Sequence, residues 1–273
     1  MKNIIPRLDL MIAYSCNISC KGCISISDRK REGIAKFEDI VQWLQTWKYV
    51  ITPQVVTIFG GEPCLNPKLI EICKEVENTW NNSKIRLITN GYLLDNFDER
   101  EWFKFKNFEI QVSIHRKDHE QLINSKIKNI LLHEKNWVVK KHEGNDHKQI
   151  SWSIKNLTLY KSIFKDFVIP YKNNLEPFNS DPEKAHKICG AGATPILYKG
   201  KLYKCPAVSN IIDLTKQTYK SYNGYGVEDN LQEFINNIGK PEEICGFCPE
   251  LSQATIIDHL NIKNVTIKQK NIS

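Results

Sequence analysis

The sequence predicts a mainly parallel α/β fold followed by a small cysteine-rich segment. Two observations carry that reading: runs rich in β-branched residues alternate with runs of helically spaced apolar residues, and four of the nine cysteines crowd into residues 188–248.

The first strand is read in RLDLMIAY, residues 7–14, and the first helix in residues 36–50, where Phe37, Ile40, Leu44 and Trp47 recur at helical spacing. QVVTIFG, residues 54–60, reads as a buried strand, and residues 67–80 form a second helix with Pro67 suited to its first turn. The rhythm continues with a strand at 84–90, a helix at 97–105, a strand at 108–114, a helix at 119–134 and a strand at 137–142. It weakens at the polar stretch EGNDHKQ, residues 143–149, and the structure of 150–171 is less defined by pattern. The domain organisation expected is a core over 1–171, a polar linker with two prolines over 172–187, and a small domain with a tail over 188–273. The terminal residues 263–273 are expected to form a strand that frays into a polar tail.

Composition narrows the function. At 273 residues the chain can bury a substantial core, and no apolar run approaches the roughly 20 residues needed to span a bilayer. Pro6, Arg7 and Asp9 interrupt the N-terminal apolar run, so a signal peptide is not expected and the location expected is cytoplasmic. The net charge of +7 invites a nucleic-acid reading, but only Arg7, Arg29, Arg31, Arg86, Arg100 and Arg116 of the 38 basic residues are arginines. A lysine-rich surface is better read as solvated, with a basic rim suited to an anionic substrate or an acidic electron donor. Nine cysteines grouped at the two ends of a non-exported chain favour metal ligation or redox chemistry over disulfides.

The N-terminal group is YSCNISCKGC, in which Cys16, Cys20 and Cys23 follow the first strand directly. Ligand sites in parallel α/β folds form at the C-terminal ends of strands, where such a loop lies. Thiolates select zinc, copper(I) or iron–sulfur clusters, and a structural zinc site closes with four ligands. Three cysteines in C-x3-C-x2-C therefore suggest a [4Fe–4S] cluster with one iron left open. The next strand ends in FGGEP, the third in TNG and the fourth in VSIH.

These four strand ends together resemble the radical S-adenosylmethionine (SAM) superfamily, over roughly residues 7–142. The resemblance implies a partial (β/α)6 barrel in which Cys16, Cys20 and Cys23 hold the cluster and SAM chelates its open iron. One electron then cleaves the C5′–S bond, and the 5′-deoxyadenosyl radical takes a hydrogen atom from a substrate C–H bond. It also implies cofactor contacts from Gly60, Gly61, Glu62 and Pro63, from Thr89 and Asn90, and from Ser113, with Glu62 accepting hydrogen bonds from the SAM ammonium. Two positions depart from the family pattern. Gly22 replaces an aromatic residue, so another apolar side chain, Ile24, is expected to pack there, and His115 stands where relatives often have Asp. His115 and Arg116 are candidates for substrate acid–base chemistry. Cys64 and Cys73 read as packed thiols.

The second group comprises Cys189, Cys205, Cys245 and Cys248, with a hairpin turn expected at Lys199–Gly200. Four thiolates suit zinc or an iron–sulfur cluster equally. The group resembles the twitch domain, the short form of the SPASM domain, which implies a second, auxiliary [4Fe–4S] cluster with an electron-transfer role. Size and the single four-Cys group resemble the family of 2-deoxy-scyllo-inosamine dehydrogenases. The reaction expected is an oxidation or a peptide maturation, on a small-molecule or peptide substrate, with a flavodoxin- or ferredoxin-type electron donor and no membrane partner. The 15 residues before Cys16 favour a substrate recognised without an N-terminal domain. Radical modification of a nucleotide or nucleic acid is the enzymatic alternative, and a non-catalytic iron–sulfur electron carrier is the alternative of another class.

Overall fold

The computed structural model describes residues 3–29, 31–142, 148–163 and 166–258. In chain order the elements are β1 (Asn3–Ala13), α1 (Phe37–Trp47), β2 (Ile51–Gly60), α2 (Leu69–Thr79), β3 (Lys84–Thr89), β4 (Phe108–Ile114) and α3 (Glu120–Leu132). There follow β5 (Val138–Lys141), β6 (Lys148–Ile154), β7 (Leu157–Ile163), β8 (Asp166–Val168), α4 (Pro182–Lys187), β9 (Ile196–Tyr198), β10 (Lys201–Tyr203), α5 (Pro206–Thr215), α6 (Leu231–Asn236) and β11 (Ile256–Asp258).

A nine-stranded sheet runs in the order β10-β9-β1-β2-β3-β4-β7-β6-β5, and the pairs from β9 through β7 are all parallel. Helical spacing puts Ile40, Leu44 and Trp47 of α1, Leu69, Ile72 and Val76 of α2, and Ile123, Ile127 and Ile130 of α3 on one face each. They join Leu8, Leu10, Ile12, Val56, Ile58, Leu87, Ile110 and Val112 in one core, where each fully buried aliphatic side chain contributes roughly 1.5–3 kcal/mol. The other sheet face is partly polar: Asp9, Thr57, Arg86 and Glu109 share one register row across four strands. Arg7 pairs with Asp9 at 2.6 Å, and Arg86 and Lys84 pair with Glu109, so the two buried carboxylates of that row are matched by cations.

Three expectations from sequence are corrected. Residues 138–141 do form a strand, but its residues are exposed and it pairs antiparallel with β6 at the sheet edge. No crossover helix separates it from its partner, and parallel pairing needs a connection of a dozen residues or more. The place beside β4 goes to β7 instead. The helix expected over 97–105 is a 3-10 helix at Glu99–Lys104, started by the Asp98 carboxylate accepting from the Arg100 N–H. The stretch expected as linker carries α4, with Pro182 in its first turn and Asp181 accepting from the Glu183 and Lys184 N–H groups.

The hairpin turn expected at Lys199–Gly200 is present, with both residues left-handed at φ 48° and 82°. Its first strand, β9, adds parallel to β1, and the Trp47 indole donates to Gly200 O at 3.0 Å, so the C-terminal hairpin completes the main sheet. The tail at 263–273 and the turn residues 143–147 lie outside the described residues.

Candidate active site

The ends of β1, β2, β3 and β4 meet at one rim of the sheet. Gly60 and Gly61 are required there by close approach: a Cβ at Gly60 would stand 2.2 Å from Ala13 O, and one at Gly61 2.2 Å from Ser15 O. With no side chains between them, Gly61 N–H donates to Ala13 O at 2.8 Å and Glu62 N–H to Ser15 O at 2.9 Å. The Ser25 hydroxyl donates to Gly60 O at 2.7 Å. The cysteine loop is thereby seated on the FGGEP turn.

Glu62 is fully buried at the centre. Its Oε1 accepts from Thr89 Oγ1 at 2.6 Å and Cys64 N–H at 3.0 Å, and its Oε2 accepts from Asn90 N–H at 2.8 Å. Burial pushes its pKa up, against the lowering effect of those three donors. A carboxylate offers about four acceptor positions, and Oε2 takes only the Asn90 N–H among the hydrogen bonds of the described residues. The Asn90 side-chain amide donates to Asn17 Oδ1 at 2.7 Å and reaches Cys16 Sγ at 3.8 Å, linking the third strand end to the cysteine loop. Pro63 opens a single buried turn after Glu62.

Cys16, Cys20 and Cys23 lie in one loop. Burial, and then the charge of Glu62, raises the Cys16 thiol, while burial, Cys23 and Cys16 raise that of Cys20. Thiols of this loop become thiolates when a metal takes the place of their protons. The Ser27 hydroxyl donates to Cys23 Sγ at 3.1 Å, a bond that sequence pattern did not single out. Cys64 is buried against Thr89 and Glu62, and Cys73 lies in the helix-facing core, as packed thiols do.

The space beside Gly22, which is left-handed at φ 78°, is filled by Ile169, whose Cγ1 would lie 3.3 Å from a Cβ there. Ile24, expected in that place, instead offers its carbonyl to the Asn210 amide at 3.0 Å. The Phe167 Cβ also borders Gly22, and the Phe167 ring lies 5.9 Å from the His115 ring. His115 therefore stands across Phe167 from the cysteine loop. Arg116 pairs with Asp118 through Nε at 2.9 Å. Ser113 is 3% exposed on β4, and its hydroxyl has no protein partner among the described residues.

Arg31 ties this loop to the C-terminal segment. Its guanidinium, 3% exposed, donates to Ser25 O at 3.2 Å, Tyr198 OH at 2.8 Å, Asp213 Oδ2 at 3.2 Å and the Asn210 side chain. Burial opposes ionisation of Asp213, but hydrogen bonds from Lys199, Tyr198 and Lys216 outweigh it and hold the carboxyl well below its ordinary range.

The four C-terminal cysteines line one cavity with His186, Lys204 and Gly192. Their ionisations oppose one another: after burial, Cys189 and Cys245 raise the Cys205 thiol to about 12, and Cys205, Cys189 and Cys245 raise Cys248. Cys205 is the N-cap residue of α5, a helix N-terminal position that favours a thiolate. Gly246, between Cys245 and Cys248, has no room for a side chain, since a Cβ would lie 2.8 Å from Ser180 O. Among the described residues no three His, Cys, Asp or Glu side chains converge closely enough to hold a single metal ion.

Residues 10–128 match the profile of the radical SAM superfamily. Over those residues the chain is similar to a radical SAM domain. That domain implies SAM and a [4Fe–4S] cluster, and the thiol loop with its surrounding donors fits such a group. A GTP 3',8-cyclase from Microcystis aeruginosa is 28% identical over 101 residues, 36% of this chain and 31% of that relative. The match thus spans about a third of the relative's length. Among solved structures, SuiB of Streptococcus suis bound to S-adenosylmethionine is similar over 43% of this chain and 27% of its own, at 21% identity and a TM-score of 0.35. BtrN in complex with AdoMet and 2-DOIA is similar over 97% of this chain and 100% of its own, at 11% identity and a TM-score of 0.45. No helix among the described residues is long and apolar enough to cross a membrane.

Proposed function

We propose that the chain is a radical SAM oxidoreductase whose C-terminal thiols hold a second [4Fe–4S] cluster. The observation that carries the reading is the seating of the three-cysteine loop on Gly60, Gly61 and Glu62, with Asn90 joining it from the third strand. When bound, these groups supply the radical chemistry: reductive cleavage of SAM, hydrogen-atom abstraction from a substrate C–H bond, and acceptance of the second electron lost by the substrate.

The chain's own residues hold and orient. Cys16, Cys20 and Cys23 ligate the first cluster, and Cys189, Cys205, Cys245 and Cys248 the second. The Oε2 of Glu62 takes the SAM ammonium, Asn90 steadies Cys16, and the Ser113 hydroxyl contacts the cofactor. Burial by Ile169 and Phe167 excludes water beside Gly22. The His115 imidazole accepts the proton that leaves an oxidised substrate. For the second site, four cysteines lining one cavity in a chain whose residues 10–128 match the radical SAM profile support a cluster with one thiolate per corner. A flavodoxin- or ferredoxin-type donor supplies the electron, and the substrate is a small molecule or a peptide.

The test is anaerobic. Reconstituted protein with dithionite and SAM is expected to release 5′-deoxyadenosine and methionine and to contain about eight irons. Replacing Cys16, Cys20 and Cys23 by Ala should abolish the release and leave about four irons. Release that survives this replacement would overturn the proposal.

A further inference from the structure

The last turn of α4 places His186 three residues before Cys189, and the imidazole lines the cavity of the four C-terminal cysteines. Its Nε2 is buried and has no hydrogen-bond partner among the described residues. A buried imidazole nitrogen left without a partner loses its hydration with nothing in return. The position is nonetheless held. Cys189 N–H donates to His186 O at 3.0 Å, and Gly192 leaves the space that the ring occupies, since a Cβ there would stand 2.5 Å from Nε2. Lys204, the other nitrogen-bearing side chain of the lining, is already committed to Lys240 O at 2.6 Å, to Asn237 O at 3.4 Å and to Glu242.

We infer that His186 is a positioning residue of the C-terminal site, whose Nε2–H donates a hydrogen bond to a sulfur of the cluster and raises its reduction potential. The inference rests on reading the four thiols as a [4Fe–4S] site. Four cysteines fill the four corners of such a cluster, so a fifth protein group is not needed as a ligand, and an N–H donor aimed at the same cavity meets sulfur. Sulfur charge grows when the cluster is reduced. A fixed N–H dipole therefore stabilises the reduced form more than the oxidised one, as outer partners do at other metal sites. The imidazole suits the task because, when neutral, it carries a single N–H whose placement its surroundings select.

The experiment uses the full chain with Cys16, Cys20 and Cys23 replaced by Ala, so that the C-terminal cluster is read alone. Iron content and the electron paramagnetic resonance spectrum of the reduced protein come first: about four irons and a [4Fe–4S] signal are required, and zinc or no iron overturns the site reading and the inference with it. Given that signal, His186→Leu and, independently, Gly192→Ala are expected to make reduction about tenfold less favourable, a downward shift of about 59 mV for one electron, while His186→Gln restores most of it. Iron content should stay near four throughout. Midpoints unchanged in both His186→Leu and Gly192→Ala overturn the role of His186 while leaving the cluster reading intact. If those substitutions prevent cluster assembly, 15N-histidine labelling of the parent protein decides. A weak hyperfine coupling accompanied by an exchangeable proton supports the donor, whereas the strong coupling of a directly ligating nitrogen, or no coupling, overturns it.

Discussion

Glu62→Gln tests the centre of the site through two readouts that do not share an assay. The carboxylate accepts three hydrogen bonds, two on Oε1 and one on Oε2. Glutamine has one carbonyl oxygen. If that oxygen keeps Thr89 and Cys64, its NH2 group faces the Asn90 N–H, donor against donor. Leaving that buried N–H unpaired costs about 1–3 kcal/mol, and turning two charge-assisted bonds into neutral ones removes roughly another 1 kcal/mol. Burial of the charge, which outweighs the donors in raising the pKa of Glu62, offsets the lost charge assistance, so the expected net loss is that of the unpaired N–H, about 1–3 kcal/mol. Denaturant unfolding of the cluster-free protein measures it as a lower midpoint with an unchanged slope. Equilibrium SAM binding to the reconstituted protein is expected to weaken by at least tenfold, with iron content unchanged. A Gln variant as stable as the parent and equal to it in SAM affinity would refute both roles of the carboxylate.

Gly61→Ala forces a Cβ to within 2.2 Å of Ser15 O, a backbone atom that cannot step aside, so the cysteine loop must move. Iron is expected to fall from about eight to about four per chain while the C-terminal spectrum persists. Ser27→Ala removes the 3.1 Å bond to Cys23 Sγ, and redox titration should show the first cluster about tenfold harder to reduce, with iron unchanged. Asp213 ionises more readily when folded, so its stabilisation is complete above its ordinary pKa of 3.8 and is lost as pH falls through the lowered folded value. The stability difference between the parent and Asp213→Asn should therefore be largest near neutral pH and shrink below pH 3.8, which unfolding curves across pH measure directly.

The features legible in sequence were those written within a few residues. The β-α rhythm through α3 depends on local apolar spacing, and the three-cysteine loop and FGGEP each sit within one turn. What escaped depends on distant partners. Arg31 reads as one more surface cation until folding sets it against Asn210 and Asp213, 179 and 182 residues away. Ile169 could not be chosen over Ile24 for the space beside Gly22, because periodicity says nothing about which remote loop returns there. The fifth parallel strand was misplaced for the opposite reason. Residues 138–141 and 157–163 both look like strands, and both follow β4 by enough chain for a parallel crossover, so pattern alone does not say which pairs with β4; the buried place goes to 157–163 and the exposed edge to 138–141. Ser27 was passed over because a serine four residues after a cysteine has no signature of its own.

The parallel pairing of β9 with β1 bears on how the chain can be cut. β1 carries Leu8, Leu10 and Ile12 on one face, and β9 pairs with its open side at Asp9 and Leu10. A truncation before Ile196, designed to isolate residues 10–128, would unpair β1 around Asp9 and Leu10 and leave backbone groups there that another chain can extend. Self-association and precipitation of such a fragment would then reflect an unguarded sheet margin and would carry no information about whether residues 10–128 bind their cofactors. Dissection of this protein is better done by point substitution within the full chain than by shortening it.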